Sequence, residues 1–178
     1  MALAYFLTFT TYGTWLHGTD KGLGSVDKAH NVHGNPFVET DAARLAAARD
    51  AMTQPAYALD APRREIVRDA IVELAAEKGW RLWAVHVRSN HVHAVVTADR
   101  DPGRLMSDLK ARESRDLNRA GFDDADRRRW TRHGSTRHLF DEGSVMEAVR
   151  YTLDEQGPRM AYFDPNEPHT RSKEPRTK

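Results

Sequence analysis

Asn90-His91-Val92-His93-Ala94-Val95-Val96 places two imidazoles two residues apart in a run of β-forming residues. Alternate residues of a strand share a face, so both rings project from one side while Val92, Ala94 and Val96 face the other. Two imidazoles on one face can reach a single cation, although an H-x-H in a strand is more often a pair of surface or internally satisfied histidines. His86 lies on the neighbouring run, as a support for such a site or, more ordinarily, as a plain cross-strand contact. Some sixty residues later, Val145, Val149 and Leu153 recur at i, i+4 and i+8 and define a buried helical stripe. Tyr151 falls roughly opposite, with Glu147, Ala148 and Glu155, where packing does not require it. A partly exposed tyrosine is commonplace, but Tyr151 and Glu155 at i, i+4 would direct a nucleophile and a carboxylate ligand toward a common point.

A third group of residues suits a polyanion. Net charge is only +1, with 27 Lys and Arg against 26 Asp and Glu, yet the signs are unevenly spread. Residues 100–138 hold eleven basic against seven acidic side chains, and residues 1–60 four against six. Lys110 and Arg112 on a helix, and Arg128, Arg129, Arg132 and Arg137 in the following stretch, are candidate phosphate contacts. Trp130 among them is a candidate stacking surface for an unpaired base. The bland alternatives are a solvated charged face and a tryptophan anchoring a loop.

The elements that must position these groups can be read from periodicity. Tyr5–Thr11 is aromatic and β-branched and stops at Gly13, which predicts a strand. A glycine- and histidine-rich stretch follows, and residues 13–40 read as a long loop insertion. The alanine-rich Asp41–Met52 predicts a short helix. Asp60 and Pro62 open a helix whose apolar stripe runs from Ile66 to Ala75 and ends before Gly79. Leu82–Val87 and Val92–Ala98 predict an antiparallel hairpin. Asp101 and Pro102 open a second helix that ends near Gly121, and a short strand is expected near Arg137–Phe140. Ser144 with Glu147 reads as a capping box for a third helix running to about Gln156, before Gly157 and Pro158. This order predicts an α+β fold, a ferredoxin-like (RRM-like) antiparallel sheet with helices packed on one face. Residues 1–165 form the one expected domain, and 166–178 a disordered basic tail.

With no cysteine in 178 residues, disulfides, thiolate zinc sites and cysteine nucleophiles are excluded together. Any metal must use His, carboxylate or amide ligands. Ala2–Phe9 is short and interrupted by threonine, so it reads as a strand and not as a signal peptide or membrane span. A cytoplasmic protein with no membrane partner is the expectation.

Five segments together resemble a known family: Phe6-Leu7-Thr8-Phe9-Thr10-Thr11-Tyr12-Gly13-Thr14-Trp15-Leu16-His17-Gly18, Ser89-Asn90-His91-Val92-His93, Leu109-Lys110-Ala111-Arg112, Trp130-Thr131-Arg132-His133-Gly134-Ser135 and Arg150-Tyr151-Thr152-Leu153. In this order, from about residue 4 to 160, they look like the single-tyrosine HUH transposases, the REP-associated tyrosine transposases and their insertion-sequence relatives. The resemblance implies a DNA strand-transferase acting on single-stranded or hairpin DNA, as monomer or homodimer. It implies a divalent cation, Mg2+ or Mn2+, held by His91 and His93, and Tyr151 as a nucleophile forming a 5′-phosphotyrosine. Several relatives carry an amide four residues after the tyrosine as third ligand. This chain has Glu155 there, between Asp154 and Gln156, and Glu155 is the expected ligand. The competing readings are a catalytically inactive DNA- or RNA-binding module of the same fold, and a metal-dependent hydrolase that uses water.

Overall fold

The computed structural model describes residues 2–14, 46–47 and 49–168. Most of the 13–40 insertion, the start of the Asp41–Met52 helix and the end of the 166–178 tail therefore lie outside the described residues. Residues 46, 47, 49 and 50 are helical, as that segment's composition suggests.

Five strands pair antiparallel in the order β4-β1-β3-β2-β5: β1 is Ala4–Thr10, β2 Arg81–Val87, β3 His91–Thr97, β4 Ser135–Leu139 and β5 Ala161–Phe163. Among the described residues three longer helices join them, α1 (Ala61–Lys78), α2 (Pro102–Ala120) and α3 (Glu142–Asp154). This is the expected α+β antiparallel sandwich, with β5 in addition. Three residues after a Gly-Pro turn carry too short an alternation to be read as a strand.

Each of the first two helices begins where an aspartate can accept an orphan backbone N–H. Asp60 takes the N–H of Arg63 and Asp101 that of Arg104, with proline in the first turn of both. Gly79 and Gly121 end them in the left-handed conformation, at φ 68° and 72°. Both helices cover one face of the sheet, where Leu7, Phe9, Val85, Val87, Val92, Ala94 and Val96 meet Val67, Ile71, Leu74, Leu105, Leu109 and Leu117. Fully burying each such side chain favours folding by about 1.5–3 kcal/mol.

The third helix is not on that face. α3 covers the other side, with Val145, Ala148 and Leu153 packed on Ala4, Ala84, Val95 and Leu139. The reason lies in the central strands, which are apolar on both sides, with alanines that let a helix approach closely. Ala148 is accordingly buried, and Val149, expected in the stripe, is only half-buried. The cap also lies one turn earlier than Ser144 and Glu147. Asp141 has extended backbone and accepts the Ser144 N–H at 2.8 Å, so the helix starts directly off the end of β4.

One buried group conflicts with its surroundings. Glu113 lies on the α2 stripe between Leu109 and Leu117, wholly inaccessible, and among the described residues neither carboxyl oxygen has a hydrogen-bond partner. Burial pushes its pKa far above the ordinary carboxylate range, only partly offset by the charge of Lys110. The folded state thus retains a proton that the unfolded chain releases. This contribution is fully present below the unfolded value near 4.5 and is lost as pH rises toward the folded one. Glu113→Gln, which mimics the protonated acid, should raise the melting temperature by several degrees at pH 8 and hardly change it at pH 4. Parallel thermal unfolding curves check this, and an equal effect at both pH values would contradict it.

Candidate active site

The register of three strands gathers the chemistry on the α3 face. Thr8 on β1 and His86 on β2 both stand opposite His93 on β3, and His91 is two residues away on the same side. The His91 and His93 ring centroids are 4.8 Å apart. The shared projection read from the H-x-H spacing is thus what the sheet produces.

Each imidazole is oriented through its Nδ1. That of His91 lies 2.7 Å from Asn90 Oδ1, an acceptor, so Nδ1 carries the proton and Nε2 keeps its lone pair. That of His93 lies 2.8 Å from the Thr8 hydroxyl, and its Nε2 is 3.2 Å from Gln156 Oε1. Burial, then the neighbouring His91, pushes His93 down to about 3, and burial also lowers His91. Both rings are therefore neutral at pH 7, the form in which imidazole binds a metal.

Tyr151 comes to the same place from α3. Its ring is 5.6 Å from that of His93 and 5.8 Å from that of Phe6, edge to face in both cases, and 41% of the residue remains exposed. Phe6 in turn stacks on His93 at 5.5 Å. The tyrosine is thus at the flank of the packed stripe and not opposite it, held by two rings while open to solvent.

Glu155 is not brought into this cluster. It is the exposed C-cap of α3, and its carboxylate pairs with Arg150 at 3.1 Å. The neighbouring residue turns inward: Gln156 faces both histidines and its Nε2 donates to the Tyr151 carbonyl at 3.4 Å. Sequence spacing favoured Glu155 because it assumes that the helix continues through Gln156. The helix ends at Asp154, and the end of regular geometry re-aims the next side chains. Among the described residues no third imidazole, thiol or carboxylate joins His91 and His93.

The basic candidates divide in two. Arg112 forms ion pairs with Glu73, Glu77 and Asp116 and ties α2 to α1. Arg129 is buried against Asp123, which also accepts from Arg63 and from Tyr57 at 2.6 Å. Lys110 donates to the carbonyls of Thr131 and His133, and Trp130 packs edge-on against Phe9 at 5.2 Å. These four have structural partners that sequence spacing does not reveal. Arg128, Arg132 and Arg137 are exposed, as are His133 and His138.

One face of the antiparallel sheet thus carries a histidine pair and a helical tyrosine. Residues 56–143, just under half of the chain, match the family described as "Transposase IS200 like". The matched stretch contains His91 and His93 and ends before Tyr151 and Gln156. Among solved structures, the chain is similar to a REP-associated tyrosine transposase bound to a REP hairpin, with 11% identity and a TM-score of 0.47 over 87% of this chain and 67% of that one. No curated protein matches the chain. Among the described residues, no helix is long and apolar enough to cross a membrane.

The low basicity of the His93 ring is directly measurable. In histidine-resolved NMR of metal-free protein, His93 should show no titration between pH 8 and 5. A midpoint near the ordinary 6.5 would mean that the ring is solvated and not buried as described.

Proposed function

We propose that this protein cleaves and rejoins DNA strands with Tyr151 as nucleophile and a divalent cation, Mg2+ or Mn2+, held by His91, His93 and Gln156. The observation that carries the reading is the convergence on one sheet face of two neutral imidazoles, an amide oxygen 3.2 Å from one of them, and a solvent-open phenol whose ring is 5.6 Å from the same imidazole. The donor set fits the cation: Asn90 takes up His91 Nδ1 and leaves its Nε2 lone pair available, and the Thr8 hydroxyl can accept from His93 Nδ1 when a cation replaces the Nε2 proton that Gln156 Oε1 now accepts. Mixed nitrogen and oxygen donors suit Mg2+ or Mn2+, and by ligand softness would also accept zinc or nickel. When bound, the cation supplies a positive charge that polarises a non-bridging phosphate oxygen.

Asn90 holds His91 in the tautomer that presents Nε2, and Thr8 fixes the orientation of His93 through its Nδ1. Phe6 and His93 hold the Tyr151 ring, leaving its hydroxyl accessible to a strand entering from solvent. The phenol loses its proton, its oxygen bonds to phosphorus, and the bond from phosphorus to the 3′ oxygen breaks. The 3′ oxygen takes up a proton, and the 5′ phosphate remains on Tyr151. Reversal on another strand restores the phosphodiester without an external energy source. Single-stranded or hairpin DNA is the substrate class, and Arg128, Arg132 and Arg137 are the exposed arginines of the basic stretch that would meet phosphates. The protein acts in the cytoplasm, where DNA and the cation are at hand.

Incubation of the protein with labelled single strands from the flanks of its own gene, followed by mass analysis, tests the reading: a covalent 5′-linked adduct is expected. Tyr151→Phe removes one oxygen and should abolish the adduct, by a factor of at least ~10³, while leaving fold and DNA affinity nearly unchanged. An adduct on the Phe variant at a comparable rate would assign the nucleophile elsewhere. Binding without any adduct on the wild type would leave a DNA-binding module.

The ligand set makes a separate demand. Chelator should stop cleavage, and Mg2+ or Mn2+ should restore it to wild type but not to His91→Ala or His93→Ala. Gln156→Ala should raise the cation concentration needed for half-maximal activity roughly tenfold, the size seen for loss of a supporting group at a metal site, whereas Glu155→Ala should behave like wild type. The reverse order of the last two would return the third position to Glu155.

A further inference from the structure

Helix α3 ends without the left-handed glycine that usually satisfies the last carbonyls. Its C-cap, Glu155, has φ −104° and ψ 8°. Three side chains do that work instead, on three successive residues. Gln156 donates to the Tyr151 carbonyl, Arg159 to that of Leu153 at 3.3 Å, and His86 to that of Thr152 at 2.9 Å. The first two donors follow the helix in the chain and move with it. His86 alone belongs to the sheet.

The His86 ring is wholly buried, and both its nitrogens are used. Nε2 lies 3.0 Å from the Met160 backbone N–H, which can only donate, so Nε2 is an acceptor. In the neutral ring the proton is then on Nδ1, which must donate to Thr152 O. One ring thereby ties the last turn of the tyrosine helix and the residue before β5 to the C-terminal end of β2. His86 also stands directly opposite His93 in the β2–β3 register. The hydrogen bond to Thr152 thus sets the height of Tyr151 and Gln156 over the histidine pair from the strand adjoining that pair.

We propose that His86 is a positioning residue for the strand-transfer reaction, its Nδ1–H bond to the Thr152 carbonyl holding the C-terminal turn of α3 so that Tyr151 and Gln156 face His93. The inference rests on the reading of Tyr151 as nucleophile. It does not require His86 to touch DNA or cation. The alternative is a buried histidine that supports the fold in general, in which case either of its two hydrogen bonds would matter equally.

Two substitutions separate the bonds. Asn carries a donor at the depth of Nδ1 and has nothing at Nε2; Gln reaches the depth of Nε2 and leaves the Nδ1 position empty. His86→Gln should lower the rate of adduct formation roughly tenfold or more with KM for DNA unchanged, because an ångström of misplacement is costly to an attacking group. His86→Asn should keep most of the rate. Hydrogen exchange of the amides at residues 151–156 should quicken in the Gln variant and not in the Asn variant. Equal rates in the two variants, whether both slow or both normal, would overturn the proposal. If His86→Gln does not fold, nitrogen-resolved NMR of wild-type protein decides: a fixed Nδ1–H tautomer at His86 is expected, and an Nε2–H or averaged tautomer overturns the proposal. Absence of an adduct on wild-type protein would instead sink the nucleophile reading, and the exchange and tautomer measurements would still report on the bond itself.

Discussion

The site depends on the pairing register of β3. This strand lies between β1 and β2 and is covered on both faces, so its odd-numbered residues from His91 to Val95 must face α3 and its even-numbered valines and alanine the other helices. A slip of one residue would turn both imidazoles into the apolar layer and Val92 and Ala94 toward α3. Burial of the even-numbered side against α1 and α2 therefore acts as the energetic guarantee of where the histidines project. The same pairing brings Thr8 and His86 to either side of His93, so the more buried ring of the His91–His93 pair is also the one most closely supported.

The two layers of helices have different tasks. α1 and α2 supply the larger apolar interface, with long branched side chains on the sheet and Arg112 joined to three carboxylates between the helices. α3 packs through smaller residues, Ala148 on Ala84 and Ala4, and brings its aromatic and amide groups close to the sheet surface. A helix that packs closely through alanines gives little burial for its length. Its end is then held by hydrogen bonds from side chains, and the groups that need accurate placement, Tyr151 and Gln156, belong to that end.

The basic segment after α2 shows how a charge pattern can mislead. Arg127 donates to Gln54 and to the carbonyls of Pro55 and Ala56, Arg129 is buried on Asp123, and Lys110 fastens Thr131 and His133. The segment from 127 to 133 is thereby laid along the end of β1, where Thr11 pairs with Trp130. Half of what looked like a surface for polyanions is the means by which the chain fastens that segment. Of the arginines in that stretch, Arg128, Arg132 and Arg137 stay exposed.

Much of the architecture was legible from residues alone, because it follows from local rules. Proline after aspartate opened α1 and α2, glycine closed them, and alternation marked the hairpin that carries His91 and His93. The common projection of the two rings needed no more than the two-residue period of a strand. Tertiary structure decided the rest, wherever a choice depended on what lay across the sheet. The placement of α3 on the second face follows from Val95, Ala84 and Ala4, three residues distant in sequence whose shared surface exists only once the strands pair. Gln156 displaced Glu155 as the residue near the histidines because the helix ends at Asp154, where its last carbonyls find donors on β2 and beyond α3. Helical spacing projects a regular geometry indefinitely, and it holds only as far as the backbone hydrogen bonds that maintain it.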